Sequence, residues 1–400
     1  MEKIIIIGAG ASGIITALAC SQNKKVILVE GNDKIGKKLV LTGNGKCNYW
    51  NTEIESSHYE TENQMVLEEI LTPENIQNTY HFLEELGVYP KIQNGYYYPY
   101  SKDAHSLLAL LERKIKEQKI EWVPNFKVLS LEKKKGKFIV KSVDKTLEGD
   151  KVVLATGGKT YPKTGSDGTG YDLAKSFNHT LIPLLPTLTN LICKDKIATL
   201  WENIRVSAKV RLFINGKLEK EEQGEIQCIK KGLSGICIFN LSNKASRSLY
   251  LNQTTEIEID FLPEIENFKT FLRKRTEQML NPTLEDFLES LLNYKLMFLL
   301  LKNAKLDKNK RIQDLKKEEC HALEQVLKHL RLEIIETGDD LKAQVTSGGI
   351  NLNEINPQTL ESKLEKNLYF TGEILDVSGD CGGYNLAFAF ITGYRVGKNL

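Results

Sequence analysis

The N-terminal residues alternate between short apolar runs and one segment of helical pattern. Residues 4–7 form an unbroken run of isoleucine, which is typical of a parallel strand buried on both faces. A glycine-rich turn follows at residues 8–13, then a helix to about residue 22 and a second apolar strand over residues 26–29. This pattern predicts a strand–turn–helix–strand unit and therefore an α/β domain.

Strand and helix patterns continue from there to residue 187. Thr72 followed by Pro73 indicates a helix start, because threonine caps free backbone amides and proline fits the first helical position. The predicted elements are a helix over residues 73–87, a helix over 103–118, hairpin strands over 126–131 and 137–143, and a buried strand over 151–155.

Beyond residue 187 the pattern first becomes strand-like. Residues 205–214 alternate apolar and polar side chains, as in a strand with one buried face. Asn215 and Gly216 then supply a type I′ hairpin turn. Further strands are predicted to about residue 262.

The following segment, residues 263–331, is helical in pattern and rich in lysine and glutamate. Its leucines between positions 288 and 300 fall at helical spacing, and Thr283 with Asp286 is placed as a helix-capping pair. Strand-like sequence returns over residues 332–344. The last 35 residues then predict a strand, a glycine-rich loop and a final helix.

Composition narrows the classes of function. The chain is 41% hydrophobic and 26% charged, with a formal net charge of +2, so it lacks the basic excess that favours nucleic-acid binding. Seven cysteines without a CxxC or Cys/His cluster argue against a disulfide scaffold and a metal site. The N-terminal apolar run is short and broken by glycines. We therefore expect no signal peptide, no membrane span and a cytoplasmic protein.

The turn at residues 8–13 has the spacing GxGxxG and lies between a buried strand and a helix. In a dinucleotide-binding unit, the first glycine permits a tight turn, the second lets the backbone approach a pyrophosphate, and the third lets helix and strand pack closely. Free amides of the helix N-terminus then face the phosphates. Glu30 ends the second strand, where its carboxylate is placed to accept hydrogen bonds from a ribose and to repel a 2′-phosphate. The sequence therefore predicts a dinucleotide other than NADP.

Later segments favour FAD over NAD, because the chain returns to glycine-rich turns at distant points. Thr156 and Gly157 follow one buried strand, and Gly372 and Glu373 follow another. We expect Glu373 to accept hydrogen bonds from the ribityl hydroxyls. Residues 382–386 open the final helix, and its N-terminus is expected to face the N1–C2=O edge of the isoalloxazine ring, where negative charge builds on reduction.

Residues 36–48, GKKLVLTGNGKCN, resemble the hallmark of a bacterial family of NAD(P)/FAD-dependent oxidoreductases. Members of that family resemble aminoacetone oxidases and bile-acid-type enone reductases. Further motifs of the family stand at residues 155–171, 224–242, 346–350 and 372–385. The resemblance spans nearly the whole chain, and it identifies a family better than a substrate.

The resemblance implies an α/β fold with a glutathione-reductase-like Rossmann FAD-binding domain, split into residues 1–187 and 345–400. The implied insert, residues 188–344, caps the substrate. Its parts are a β-barrel-like part (188–262), a helical part (263–331) and returning strands (332–344). The implied residues that hold non-covalent FAD are Gly8, Gly10, Ala11, Ser12, Gly13, Glu30, Lys37, Asn48, Val128, Thr156, Gly157, Gly372, Glu373, Gly382, Gly383, Tyr384, Asn385 and Leu386. Val128 enters this set as a strand residue that offers its backbone to the adenine.

Two places depart from the family pattern. Lys46 stands where arginine is common, and residues 96–98, all tyrosine, replace a motif that often carries arginine and phenylalanine. If these positions touch substrate, we expect a substrate that differs from family precedents. Cys47 and Cys381 leave two readings open, a redox pair or small buried residues near the cofactor.

The expected function is an FAD-dependent oxidoreductase acting on a small organic molecule of amine, ketone or enone type, with NADH or NADPH as a transient reductant. Because the flavin carries the hydride chemistry itself, no side chain is assigned a catalytic role. Two alternatives stay open: a flavin-dependent RNA-modifying protein, against which the near-neutral charge counts, and a non-catalytic FAD-binding protein. No nucleic-acid partner is expected, and the sequence does not indicate the oligomeric state.

Overall fold

The computed structural model describes residues 1–400 and divides into two compact units. The first unit joins Met1–Pro186 to Asp340–Leu400, and the second is Thr187–Asp339. The α/β domain is therefore discontinuous in sequence.

A five-stranded parallel sheet forms the centre of the first unit. In spatial order its strands are Leu368–Phe370, Lys151–Leu154, Lys3–Ile7, Lys25–Val29 and Glu121–Val123. Ile4 lies opposite both Lys151 and Val26 in the register of the sheet. The apolar side chains of the first strand are buried, because both faces of the sheet are covered. All five strands run in one direction, so their carboxyl ends meet at one edge, where open α/β sheets bind ligands.

Six helices belong to the first unit: Ala11–Ala19, Gln64–Ile70, Pro73–Glu85, Ala104–Glu117, Thr169–Lys175 and Tyr384–Asn399. The predicted cap at Thr72 is present, since its hydroxyl accepts a hydrogen bond from the amide of Asn75 at 3.3 Å. The C-terminal helix lies directly on the helix that follows the glycine turn. A Cβ on Gly393 would lie 2.6 Å from the carbonyl oxygen of Ser12, so glycine is needed for this contact.

Smaller sheets complete the first unit. They are Thr146–Gly149 with Lys137–Lys141 and Ser130–Lys134; Trp50–Asn51 with Tyr96–Pro99 and Pro90–Gln93; Leu181–Thr187 with Val345–Ile350; and Tyr59–Glu60 with Ser378–Gly379. The predicted hairpin strand over 126–131 is wrong in its start, because the strand begins at Ser130. Val128 lies in the connection before it. The amides of Asn125 and Phe126 bond to the carbonyls of Asn32 and Glu30, at 2.9 and 2.7 Å, and hold this connection at the end of the second sheet strand.

The second unit contains a closed, six-stranded antiparallel barrel. Around the barrel its strands are Leu191–Cys193, Gly232–Ser234, Lys217–Ile229, Ile204–Ile214, Thr255–Asp260 and Leu330–Thr337. The predicted hairpin turn is present, with positive φ at both Asn215 (50°) and Gly216 (79°), as a type I′ turn requires. Ala208, Val210 and Leu212 are fully buried on one face of their strand.

Five helices accompany the barrel: Ile236–Tyr250, Phe268–Gln278, Leu284–Leu288, Tyr294–Asn303 and Lys317–Lys328. The helix Ile236–Tyr250 corrects the sequence interpretation, which predicted strands to about residue 262. Its opening residues are apolar and β-branched, but Leu241 and Ala245 bury a helical stripe. The predicted capping pair of Thr283 and Asp286 is present as a reciprocal capping box. The leucines at helical spacing do not share one helix, because Leu291 and Leu292 lie between the helix that ends at Leu288 and the helix that Asn293 caps.

A buried polar cluster joins the segment around residue 179 to the segment over 354–362. The His179 ring contacts Glu354 Oε2 at 2.9 Å through Nδ1 and Ser362 Oγ at 2.8 Å through Nε2. Ser362 Oγ also accepts the amides of Leu364 and Glu365, so its proton goes to His179. These are the residue types of a hydrolytic triad, but every group is satisfied within the cluster and the serine is buried. The arrangement is structural.

This cluster predicts a stability that depends on pH. Burial lowers the pKa of His179 below its ordinary value of 6.5, although Glu354 opposes the shift. The unfolded chain therefore takes up a proton near pH 6.5 that the folded chain resists, so the stabilisation is complete above that pH and is lost as the pH falls below it. The slope is at most about 1.4 kcal/mol per pH unit. In urea unfolding at pH 7, 6 and 5, His179→Asn is expected to lose less stability than the parent. Equal slopes would contradict this.

Candidate functional site

The three glycines of the first turn have different surroundings. A Cβ on Gly8, where φ is +104°, would lie 2.4 Å from the Ala155 carbonyl oxygen, and a Cβ on Gly13 would lie 1.9 Å from that of Gly8. A Cβ on Gly10 would have no atom within 4 Å. Gly8 and Gly13 are therefore fixed by close packing within the protein, whereas Gly10 borders open space.

The open space at Gly10 lies at the start of helix Ala11–Ala19. Gly10 is the N-cap residue, so no side chain caps this helix, and its first turn contains no acidic residue. The first bond within the helix runs from the amide of Ile14 to the carbonyl of Gly10. The amides of Ala11 and Ser12 come before Ile14, so they take no part in the hydrogen bonds of the helix. Uncapped amides and the positive end of the helix dipole favour an anion at this position.

Glu30 supports the same turn from the second strand. Its Oε2 accepts the amide of Ala9 at 2.9 Å, and its Oε1 accepts the amide and the side-chain nitrogen of Asn32 at 3.0 and 2.8 Å. The connection that contains Val128 is held beside it through the Phe126 amide. The structure thus gathers Glu30, the glycine turn and the segment of Val128 at one end of the predicted cofactor site.

Glu30→Ala is expected to weaken FAD binding by about 10- to 150-fold, because a hydrogen bond to a charged group is worth about 1.5–3 kcal/mol. It also leaves the Ala9 amide without its acceptor, so the apoprotein should lose some thermal stability. Glu30→Gln keeps an acceptor oxygen and should lie between the parent and Glu30→Ala. Flavin fluorescence titration of the apoproteins measures this, and identical affinity in all three proteins would remove Glu30 from the site.

The two adjacent lysines of the GKKL motif point to different partners. Lys37, the lysine predicted for the cofactor site, pairs with Asp33 at 2.9 Å and donates to Asn32 at 3.1 Å, beside Glu30. Lys38 instead contacts both carboxylate oxygens of Glu373, at 3.1 and 2.8 Å. The sequence interpretation missed Lys38, because nothing local in the motif distinguishes the two side chains.

Glu373 is the centre of a network that joins distant segments. Besides Lys38, its Oε1 accepts the amide of Thr346 at 2.9 Å. Thr346 Oγ1 in turn accepts the amides of Lys159 and Thr160. A Cβ on Gly157, where φ is +71°, would lie 3.9 Å from Glu373 Oε2. The predicted neighbours Gly157 and Glu373 are therefore brought together.

The turns after two neighbouring sheet strands meet the glycine turn directly. Ser12 Oγ donates to the Thr371 carbonyl at 3.3 Å, and a Cβ on Gly372 would lie 2.6 Å from Ser12 Oγ. The Thr156 α-carbon would lie 3.1 Å from a Cβ on Gly8. The hydroxyls of Thr156 and Thr371 are both buried without a hydrogen-bond partner, and such groups are rare in folded proteins.

The C-terminal glycine loop meets a different segment. A Cβ on Gly383, where φ is +97°, would lie 2.5 Å from the Trp50 carbonyl oxygen and 2.9 Å from Asn48 Oδ1. The Asn385 side chain closes the loop by accepting the amide of Gly379 and donating to its carbonyl, each at 2.8 Å. Asn48 and the loop at 382–386 are thus adjacent.

The helix after this loop begins at Tyr384, and its first bond runs from the amide of Ala387 to the carbonyl of Gly383. The amides of Tyr384, Asn385 and Leu386 precede it. Tyr384 is buried and stacks on His58 with ring centroids 4.4 Å apart. Burial, with Asp380 nearby, raises the pKa of its phenol above the ordinary value, so the phenol stays protonated. That this helix end faces the flavin remains a prediction.

No two cysteines form a disulfide in this structure. Cys47 is fully buried, and burial raises the pKa of its thiol to about 12. A thiol with that pKa carries almost no thiolate near neutral pH, and the thiolate is the reactive form. Cys47 is therefore a small buried residue.

The donor set at the glycine turn fits FAD. A pyrophosphate takes backbone amides at a helix start, and Gly10 leaves room for it where a larger residue would fill the space. Glu30, the predicted ribose ligand, lies beside this turn, and Glu373, the predicted ribityl ligand, lies beside Gly157. A separate cavity of about 560 Å³ in the second unit, lined by residues such as Phe268 and Leu272, includes none of the predicted site residues.

Comparisons with known proteins identify the family of this chain. A family model described as the HI0933-like protein Rossmann domain matches residues 2–399. A 3-dehydro-bile acid delta(4,6)-reductase of Clostridium scindens is 35% identical over 403 residues, covering 100% of this chain and 98% of the relative. This chain belongs to the HI0933-like family.

Two further similarities were found, one to a full-length sequence relative and one to a solved structure. A ribosomal RNA dihydrouridine synthase of Escherichia coli is 27% identical to this HI0933-like protein over 410 residues, covering 100% of this chain and 98% of the relative. The solved open conformation of a flavocytochrome c3 fumarate reductase matches at 17% identity and a TM-score of 0.48, covering 100% of this chain and 78% of that chain. A likeness at that level does not bear on function.

The predicted family, the Rossmann-type α/β fold and the class of FAD-dependent oxidoreductase are confirmed by these findings. The substrate and the NADH or NADPH reductant stay predictions. No helix of the HI0933-like protein has the length and apolar character that crossing a membrane requires.

Proposed function

We propose that this HI0933-like protein uses FAD to reduce a carbon–carbon double bond conjugated to a carbonyl group. The chemistry shared by two full-length relatives carries this proposal. A delta(4,6)-reductase acting on a 3-dehydro bile acid removes double bonds in line with a 3-oxo group. A dihydrouridine synthase saturates the uracil double bond beside a ring carbonyl. Both reactions add a hydride and a proton to a conjugated alkene.

The chain's own residues would hold the cofactor in three places. The amides after Gly10 would take the pyrophosphate, and Glu30 would take the ribose. Glu373, oriented by Lys38, would face the ribityl chain, with the helix start at 382–386 as the neighbouring wall. When bound, FAD supplies hydride transfer, so these side chains need only bind and orient it.

The first candidate substrate is a small, planar enone, supported by the relative with 35% identity. NADH or NADPH is the proposed transient hydride donor. The insert, predicted as residues 188–344, is proposed to cap the substrate and set specificity. Exchanging the unit Thr187–Asp339 with that of a relative tests this, because substrate preference should follow the exchanged unit. Preference that follows the first unit would reject it.

The second candidate substrate is a uracil ring within RNA. Relatives named ribosomal RNA dihydrouridine synthases, from Escherichia coli and Haemophilus influenzae, align at 27% and 26% identity over almost the whole chain. Tyr96 and Tyr98, in a segment where the family pattern often has arginine and phenylalanine, also favour a substrate with stacking rings.

Anaerobic stopped-flow spectroscopy tests the proposed reaction. The flavin is first reduced with NADH or NADPH and then mixed with a 4,6-dien-3-one steroid acid, with uridine-containing RNA, or with a simple amine ketone such as aminoacetone. We expect reoxidation by a conjugated alkene, with loss of its absorbance, and none by aminoacetone. Aerated buffer is mixed in a separate run, and reduced flavin that reacts with oxygen but with no alkene would reject the proposal.

A further inference from the structure

The hairpin formed by Pro90–Gln93 and Tyr96–Pro99 presents tyrosines and lysines on one face. Lys91 pairs directly with Tyr98 in the register, and the amide of Tyr100 extends the pairing by donating to the Tyr89 carbonyl at 2.9 Å. Side chains two residues apart share a face of a strand. We name this face the tyrosine–lysine surface; its members are Tyr89, Lys91, Tyr96, Tyr98, Tyr100 and Lys102.

Ring and ammonium contacts link these members into one surface. The rings of Tyr89 and Tyr100 lie 5.7 Å apart. The Lys91 ammonium lies 5.4 Å from the Tyr100 ring centroid, and the Lys102 ammonium lies 5.9 Å from that of Tyr98. Tyr89 is 73% exposed and Tyr100 is 62% exposed. Large aromatic side chains are thus held in water beside cations, where a buried role does not explain them.

The opposite face of the hairpin carries packing contacts with the core at Tyr97, although Ile92 on the same face is 54% exposed. Tyr97 points to that side and packs edge-to-face on Tyr80 at 5.8 Å, and Trp50 contacts Tyr80 as well. This packing fixes the hairpin on the core of the first unit. The tyrosine–lysine surface therefore stands on a rigid support.

One end of the surface adjoins the C-terminal glycine loop of the candidate site. A Cβ on Gly382 would lie 3.2 Å from the Tyr96 ring, and Asn51 Nδ2 donates to the Gly382 carbonyl at 2.9 Å. The opposite end is the exposed pair of Tyr89 and Tyr100. The surface runs outward from the place where the final helix begins.

We propose that the tyrosine–lysine surface binds single-stranded RNA, with bases stacked on its tyrosines and phosphates near its lysines. The proposal rests on the second candidate substrate above, a uracil ring in RNA. Stacking on tyrosine needs bases that are unpaired and splayed. Tyr96 and Tyr98 lie about 7 Å apart along the strand, and Tyr100 follows just beyond its end. The spacing is about twice the 3.4 Å rise of stacked bases, so each ring can meet a separate base.

Shape and charge distinguish this occupant from others. Sites for small molecules are concave and bury most of their ligand, whereas the outer tyrosines of this surface stand exposed. The members carry two cations and no carboxylate, which suits a polyanion. Asp103, the next acidic residue along the chain, accepts the amide of His105 at the start of its helix. The near-neutral charge of the whole chain does not oppose a local surface of this kind.

RNA binding by the FAD-loaded protein tests the proposal. A uridine-rich single-stranded RNA and the same RNA annealed to its complement are titrated by fluorescence anisotropy at several salt concentrations. We expect preference for the single strand. Tyr100→Ala should weaken binding at least about fivefold, as expected for a lost base stack, and Tyr100→Phe should restore it. Lys91→Gln should lower the slope of log K against log salt by about 0.7.

Tyr250, a 53% exposed tyrosine in the second unit, supplies the matched control, and Tyr250→Ala should bind RNA like the parent. Full binding by Tyr100→Ala, equal loss in Tyr250→Ala, or preference for the duplex would overturn the proposal. Reduction of the steroid dienone is measured on the same samples. If RNA binding fails while the dienone is reduced, the RNA surface is rejected and the proposed reaction stands. If both fail, both are rejected.

Discussion

Gly10→Val is expected to yield a stable apoprotein that is purified without FAD. The valine Cβ meets no atom within 4 Å, and the backbone at this position (φ −81°, ψ −169°) is extended, which β-branched residues adopt readily. Its stability should therefore stay within about 0.5 kcal/mol of the parent apoprotein. The side chain enters the space before the helix start, where the pyrophosphate is proposed to bind.

The loss of FAD follows from the donors that valine blocks. Hydrogen bonds to a charged group are worth about 1.5–3 kcal/mol each, and displacement of the pyrophosphate from two of them lowers affinity at least about a hundredfold. Flavin absorbance per protein and the urea midpoint of the apoprotein measure the two effects separately. A yellow, fully loaded Gly10→Val protein would show that the pyrophosphate does not bind at this turn.

Gly13→Ala is the matched control, because it should destabilise the apoprotein, which Gly10→Val should not. Its Cβ would lie 1.9 Å from the Gly8 carbonyl oxygen, so helix and strand must separate. Overpacking of this kind costs about 1–3 kcal/mol or more. We expect a lower urea midpoint for the Gly13→Ala apoprotein, with FAD loss as a consequence of the disturbed fold.

Lys38→Met should weaken both the apoprotein and its FAD affinity, whereas Lys37→Met should change the stability of the apoprotein little. The Lys38 and Glu373 side chains are only 25% and 20% exposed, and both carboxylate oxygens are bonded. Breaking this pair leaves a largely buried carboxylate and removes about 1.5–3 kcal/mol. Lys37 pairs with Asp33, whose side chain is 59% exposed, and exposed pairs contribute about 1 kcal/mol or less.

A double variant separates the two effects of Lys38. Lys38→Met with Glu373→Gln removes the unpaired charge, so the urea midpoint should recover relative to Lys38→Met alone. FAD affinity should stay low, because the charged acceptor proposed for the ribityl chain is gone. Flavin titration and urea unfolding of all variants measure the two effects in a double-mutant cycle. Equal effects of Lys37→Met and Lys38→Met would show that the pair of Lys38 with Glu373 contributes no more than the pair of Lys37 with Asp33.

Features that depend on neighbouring residues were predictable from the sequence. The capping pair of Thr283 and Asp286 and the Asn215–Gly216 turn are satisfied within four residues of chain, so composition and spacing suffice. The roles of Gly8 and Gly13 follow from the steric needs of a strand–turn–helix unit, which has the same geometry wherever it occurs. The order of apolar strands and helices likewise indicated the α/β class.

Features that depend on distant residues were decided by tertiary structure. Ile236–Tyr250 forms a helix although its first residues favour strands, because its buried stripe packs within the second unit and packing outweighs intrinsic propensity. Val128 lies before its predicted strand, because the amide of Phe126 bonds to the carbonyl of Glu30, just after the strand Lys25–Val29.

The lysines at 37 and 38 show most clearly that the partner of a side chain depends on the tertiary structure. They are identical in type and adjacent, and the sequence interpretation chose Lys37 for the cofactor site. Glu373, which pairs with Lys38, lies 335 residues away. Only the fold brings that carboxylate beside one lysine and Asp33 with Asn32 beside the other. A side chain's partner is set by the three-dimensional path of the whole chain, whereas a turn's geometry is set by the few residues that form it.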